Sequence, residues 1–190
     1  MDKSDMPHIV DFKTKIEKKN LIDFQLYQNY HSISGALGLL FALVVLAVII
    51  ITAGKISLIR LIILLLLEAF LILYTPIQMI KRVNSQTRAA KQFAEPVRYI
   101  VTEEKIQFSQ NDIIESVTWN DVCKIKCTGK NMILYISNAR VNIIPLESLG
   151  KKAEAFLNIA EKKLKPFQME IKKERVIKKA DRLFAKRCTG

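Results

Sequence analysis

Two long apolar stretches joined by a short link limit what this chain can fold into. Ile33 to Ala53 carries no charged residue, and Leu58 to Ile80 carries only Arg60 and Glu68. At about 1.5 Å per residue, about 20 helical residues cross the roughly 30 Å hydrocarbon layer of a bilayer. Lipid offers peptide groups no hydrogen-bond partner, so a crossing segment must close its own bonds as a helix. The link Gly54-Lys55-Ile56-Ser57 allows only an antiparallel hairpin, which returns the chain to the side it left. A cleaved signal would be shorter, nearer the start, and followed by small residues. The first run starts only at Ile33 and ends in Ile49-Ile50-Ile51-Thr52-Ala53-Gly54, so processing is rejected.

Charge decides the side. The link and its edge carry Lys55 and Arg60, and Arg60 can snorkel to the nearer surface. The other side carries Lys13, Lys15, Lys18 and Lys19 before the first run and Lys81, Arg82, Arg88 and Lys91 after the second. The excess of cations places both termini in the cytoplasm. Glu68 falls near the middle of the second span, where a charge costs several kcal/mol. It is expected to serve a structural or oligomer role, bonded to a neighbouring helix; a proton or ion site is the functional alternative. Pro76 is expected to kink this helix.

Outside the spans the period changes. Val10, Phe12 and Ile16 alternate with polar residues, as in a strand with one apolar face. Leu21, Phe24, Tyr27 and Tyr30 suit an amphipathic helix leading into the first span. Beyond the second span a polar helix is expected to run to Pro96. Short strands then follow: Val97 to Val101, Ile106 to Phe108, Ile113 to Trp119, Val122 to Cys127, Met132 to Ile136 and Val141 to Pro145. Turns are expected at Gln110-Asn111-Asp112, Thr128-Gly129-Lys130-Asn131 and Ser137-Asn138. Such strands suggest an antiparallel meander or small barrel. A helix from Ser148, with Ala153, Phe156, Leu157, Ala160 and Leu164 in one stripe, would cover it. Trp119 is expected to be a packing anchor rather than a stacking platform. Cys123, Ile125 and Cys127 are expected to point inward.

Strands followed by one covering helix make a pleckstrin-homology-like (PH-like) layout. The leading strand and helix, the two spans, Arg98-Tyr99-Ile100-Val101-Thr102-Glu103-Glu104, Trp119-Asn120-Asp121-Val122-Cys123-Lys124-Ile125, Met132-Ile133-Leu134-Tyr135-Ile136 and Ile143-Ile144-Pro145 together resemble the YcxB-like family of small bacterial membrane proteins. The resemblance covers roughly residues 7 to 165. It implies a two-span anchor in the bacterial plasma membrane with a PH-like cytoplasmic domain, and brings no catalytic residue.

The expected fold class is a membrane α-helical hairpin plus an α+β cytoplasmic domain, a PH-like sheet or small barrel capped by a C-terminal helix. The order is a cytoplasmic strand and helix (1–32), span one (33–53), a short extracytoplasmic loop (54–57), span two (58–80), a juxtamembrane helix (81–94), the PH-like domain (95–165) and a basic amphipathic tail (166–190).

Net charge is +12, from 30 Lys and Arg against 18 Asp and Glu. Residues 165 to 190 hold nine of those cations against three acids, half of the net charge. There Val176, Ile177, Ala180, Leu183 and Phe184 fall at helical spacing, between Lys172, Lys173, Lys178, Lys179, Arg182 and Lys186. These six cations are the candidate contacts to anionic lipid, each worth about 1 kcal/mol near the surface. Nucleic acid is not an expected partner, for no motif of that kind is present. Three cysteines form no disulfide framework and fit a reducing compartment. With two histidines, no Gly-rich phosphate loop and no nucleophile elbow, no catalytic residue, metal or cofactor is expected. The leading expectation is a membrane-tethered binding or scaffolding module. The alternative is an accessory subunit of a transporter, envelope-stress or immunity system acting through its spans, alongside a membrane or cytoplasmic protein or a second copy. A stand-alone transporter is disfavoured, because two spans enclose no pathway.

Overall fold

A computed structural model of the chain describes residues 9–89, 95–111, 113–137 and 140–188. The last residues of the expected juxtamembrane helix, 90–94, and the turn residues Asp112 and Asn138 lie outside them. The chain separates into two compact units. One joins Met1–Asp23 to Ala90–Gly190, and the other is Phe24–Ala89.

The first unit contains two four-stranded sheets. One has the order β1 (Val10–Thr14), β2 (Val97–Val101), β3 (Lys105–Gln110), β4 (Ile113–Thr118), all antiparallel. The leading strand therefore does join the later sheet: Val10 pairs with Val101 and Thr14 with Val97 across the whole hairpin. Alternation explains the register, since a slip by one residue would turn Val10 and Phe12 to water and Asp11 and Lys13 to the core. Phe12 stacks on Tyr99 with ring centroids 5.3 Å apart. Outside, Asp11 meets the Arg98 guanidinium, whose hydrogen bonds hold the carboxyl below the ordinary carboxylate range.

The other sheet has the order β7 (Val141–Pro145), β6 (Asn131–Tyr135), β5 (Lys124–Cys127), β8 (Met169–Glu170). The two sheets do not close on one another, so the expected small barrel is not formed, while β2-β3-β4 and β5-β6-β7 are each the expected antiparallel meander. The fourth position is filled from the tail: β8 runs parallel to β5, with Ile125 opposite Met169. Between the sheets, Trp119–Asp121 forms a single 3-10 turn, held by Thr118 donating from its backbone and hydroxyl to Asp121. This turn places Trp119 inside, where its indole N–H donates to the Thr102 carbonyl at 2.9 Å and its ring meets the Phe156 edge. Trp119 is a packing anchor, as its place at a strand end implies.

The covering helix is interrupted. A short α4 (Leu146–Leu149) precedes α5 (Lys152–Lys163), which ends just before Lys165-Pro166. The break sits at Gly150, with φ +45°. A Cβ there would lie 2.8 Å from the Phe184 ring. Gly150→Ala should therefore lower stability by about 1–3 kcal/mol, through backbone strain and a displaced Phe184. Urea unfolding followed by the fluorescence of Trp119, the sole tryptophan, measures it. An unchanged midpoint would refute this account of the break.

The tail also forms α6 (Lys173–Cys188). Val176 and Ala180 are buried in the same core as Phe156, Leu157, Ile106 and Ile125, and Ile177 and Leu183 pack against it. The tail is thus part of the folded unit rather than an appendage.

The helix α1 (Lys18–Tyr30) begins in the first unit, and its part from Phe24 belongs to the second; it ends two residues before α2 (Ile33–Thr52), whose first turn is capped by the Ser32 hydroxyl accepting from the Gly35 N–H. The next helix, α3 (Leu58–Ala89), runs without interruption through Pro76 and through Lys81-Arg82. The expected second span and the expected juxtamembrane helix as far as Ala89 are therefore one element, because charged side chains after an apolar stretch do not break helical hydrogen bonding. Both α2 and α3 are long and apolar enough to cross a membrane. Only 6% of each apolar stretch is buried, so they are not the core helices of a soluble fold.

Candidate functional site

The six tail cations do not form one surface. Lys179 turns back and donates to the Thr128 carbonyl at 2.8 Å, and Lys173 pairs with Glu161. Lys172, Lys178, Arg182 and Lys186 are exposed. The outward face of α6 carries Arg175, Lys178 and Arg182, but also the exposed acids Glu174 and Asp181. The apolar stripe that would have entered lipid is committed to the protein core. Counting charges along the tail overstated its basic face, and the choice of six candidate cations left out Arg175 and Arg187.

Cations converge elsewhere. Lys19, Lys130, Lys186 and Arg187 line a cleft of about 280 Å³ with Leu183 and Glu147. Lys19 pairs with Glu147 at 3.0 Å and with Glu17 at 3.0 Å, which raises the lysine's pKa above its ordinary value. Lys130 is placed by a polar lock between α1 and the β5–β6 turn. Asp23 accepts from the Thr128 hydroxyl, from the Lys130 N–H at 2.9 Å and from the Asn131 amide at 2.9 Å. Asn20 donates to the Asn131 side chain at 2.9 Å, and the Asn131 amide donates to the Asn20 carbonyl at 2.9 Å. Asn20 and Asn131 are both fully buried. Gly129 leaves room for Asp23, whose oxygen would lie 2.4 Å from a Cβ there. Thr128-Gly129-Lys130-Asn131 reads as a turn in the sequence, but nothing there announces its partners about 110 positions earlier.

Glu68 lies in the second unit and is 3% exposed. Neither of its oxygens has a hydrogen-bond partner. It lines a cavity of about 430 Å³ between α2 and α3, with Ser34, Gly38 and Phe41 on one side and Thr75 on the other.

The cysteines correct one expectation. Ile125 is buried and the half-buried Cys127 packs against the core, as expected, but Cys123 is exposed. Val122, fully buried, takes the inward place because β5 begins only at Lys124. Burial pushes the Cys127 thiol above its ordinary pKa. Thiolate is the reactive form, so maleimide at neutral pH should label Cys123 at least about tenfold faster than Cys127. Peptide mass spectrometry distinguishes the two, and equal rates would contradict the assigned orientation. No group of three or more His, Cys, Asp or Glu placed to hold a metal occurs among the described residues.

Over residues 101–160 the chain matches the family model described as YcxB-like protein. The match runs from the end of β2 into α5, and leaves the hairpin and α6 outside it. No curated protein and no solved structure gives a match.

Proposed function

We propose that this chain is a membrane-tethered binding or scaffolding module, non-catalytic, with its α/β unit on the cytoplasmic face of a bacterial plasma membrane. The observation that carries this reading is the β1–β2 pairing. The strand before the hairpin and the strand after it belong to one sheet, so a hairpin that crosses the bilayer must leave and return on the same side. Lys81 and Arg82, with Arg88 and Lys91 in the sequence, favour the cytoplasm for that side. The YcxB-type stretch coincides with the sheets and α5, and one core joins both sheets to that helix, which supports a PH-like layering. The exposed cations Lys172, Arg175, Lys178, Arg182 and Lys186 supply attraction to anionic headgroups without insertion of α6, because its apolar side is occupied. The unsatisfied Glu68 supports a second reading, in which the hairpin itself meets a membrane partner.

Two measurements test the first reading. A reporter fused after residue 190 should be active only as a cytoplasmic fusion, and one inserted at Lys55 only as an external one. A reporter after residue 190 found outside overturns the proposal. With the full chain in nanodiscs, anionic lipid should slow hydrogen exchange or proteolysis on α6 in a salt-sensitive way. Arg175→Glu with Arg182→Glu should remove the effect. Equal behaviour in neutral and anionic nanodiscs sinks the lipid contact.

A further inference from the structure

The hairpin holds a carboxyl group that has no hydrogen-bond partner among the described residues. Glu68 is 97% buried, by its 3% exposure, and both oxygens lack a hydrogen-bond partner. A carboxyl group in hydrocarbon is costly unless it is paired. No residue of α2 is charged, and the only cation of α3 before Lys81 is Arg60, two turns from Glu68 toward the link. A cation that pairs with Glu68 therefore comes from outside the hairpin.

We infer that the cavity beside Glu68 binds an amphiphile bearing a protonated amine, with the ammonium group on the carboxylate and the apolar body along α2. An ammonium group carries only donors, and it can both hydrogen-bond and charge-pair a carboxylate that the hairpin leaves without a partner. The walls suit the rest of such a molecule. Leu39, Leu71 and Ile72 are apolar, and the rings of Tyr30 and Phe41 attract a cation as well as an alkyl chain. About 430 Å³ is the size of a small-molecule site. The cavity is open rather than loosely packed, because a Cβ added at Gly38 would meet nothing within 4 Å.

Other occupants fit less well. Calcium or magnesium needs six or more oxygens, and among the described residues no group of three or more His, Cys, Asp or Glu is placed to hold a metal and no hydroxyl or amide reaches the Glu68 carboxyl. A second copy would present the same α2, which has no cationic side chain to offer. The inference goes beyond the tethering role and does not depend on α6 touching lipid. It makes the hairpin a binding element as well as an anchor.

Octylammonium is a suitable probe, with octanol as its neutral counterpart. Equilibrium dialysis of labelled octylamine against the full chain in nanodiscs, with empty nanodiscs subtracted, should show saturable binding. Octanol should not compete. Glu68→Gln should weaken binding about tenfold or more, the loss expected for a hydrogen bond to a charged group. Gly38→Leu fills the cavity while leaving the carboxyl group in place, and should abolish binding with helix content unchanged by circular dichroism. Should Glu68→Gln fail to fold, Gly38→Leu alone decides. The inference is overturned if octanol competes equally, if either folded variant binds as the wild type does, or if wild type binds no amine but forms a dimer that Glu68→Gln dissociates.

Discussion

Asn131→Ala should lower the stability of the α/β unit by about 3 kcal/mol, a large share of the 5–15 kcal/mol that holds a typical domain together. The side chain removed is fully buried and bonded at both ends. Its oxygen accepts from Asn20, and its amide donates to the Asn20 carbonyl and to Asp23. Truncation strands the amide of Asn20, which is itself fully buried, and leaves an unmade bond at the Asp23 carboxylate. An orphaned buried polar group costs about 1–3 kcal/mol, more when a charge is involved. Asp23→Asn should be milder, about 1 kcal/mol, since its remaining oxygen still accepts from the Lys130 N–H. Because both act on one network, the double variant should cost less than the sum. Urea titration of Trp119 fluorescence gives the three values. A loss for Asn131→Ala below about 1 kcal/mol would mean that water replaces the lock, and the proposed tie of α1 to the β5–β6 turn would be of no energetic consequence.

Ala180→Glu should be at least as damaging. Ala180 is fully buried in an apolar core, and no Lys or Arg is buried among the described residues to pair with a carboxylate forced into that position. The unit will release α6 rather than bury the charge. It then loses the packing of Val176, Leu183 and Ile177, a total of about 3 kcal/mol or more. Limited proteolysis should cut near Lys172-Lys173 in this variant and not in the wild type. Lys178→Glu, two residues away on the exposed face, should stay within about 0.5 kcal/mol. If both variants behave alike, α6 is peripheral and its place in the core is wrong.

That contrast bears on what was legible beforehand. The hairpin was plain, because a bilayer-length apolar run has few other uses. The strands from Val97 to Pro145 and the stripe of α5 followed from period alone. The tail was misjudged for a physical reason: an amphipathic helix reports that it has an apolar side, not what that side covers. Its positions 176, 177, 180 and 183 suit a core as well as a lipid surface. The two-residue β8 was too short for any period to reveal. Cys123 defied simple alternation because the strand starts after the 3-10 turn, which resets the register at Val122. Glu68 stood out as an acid in the middle of an apolar run. That its oxygens are unsatisfied beside an open cavity depends on how α2 and α3 pack, which no local pattern encodes. The lock at Asn20, Asp23 and Asn131 was invisible for the same reason, since polar residues on a helix and a turn ordinarily face water.

The interrupted sheet also has a consequence for how the protein is made. Val10 and Phe12 leave the ribosome early, yet their partners at Tyr99 and Val101 are translated only after the entire hairpin. In the tethered reading, β1 waits as a bare, sticky edge until both helices have entered the bilayer and delivered β2 back beside it. A chain whose insertion fails keeps that edge exposed. In that reading the sheet is completed only in copies whose hairpin has brought β2 back beside β1.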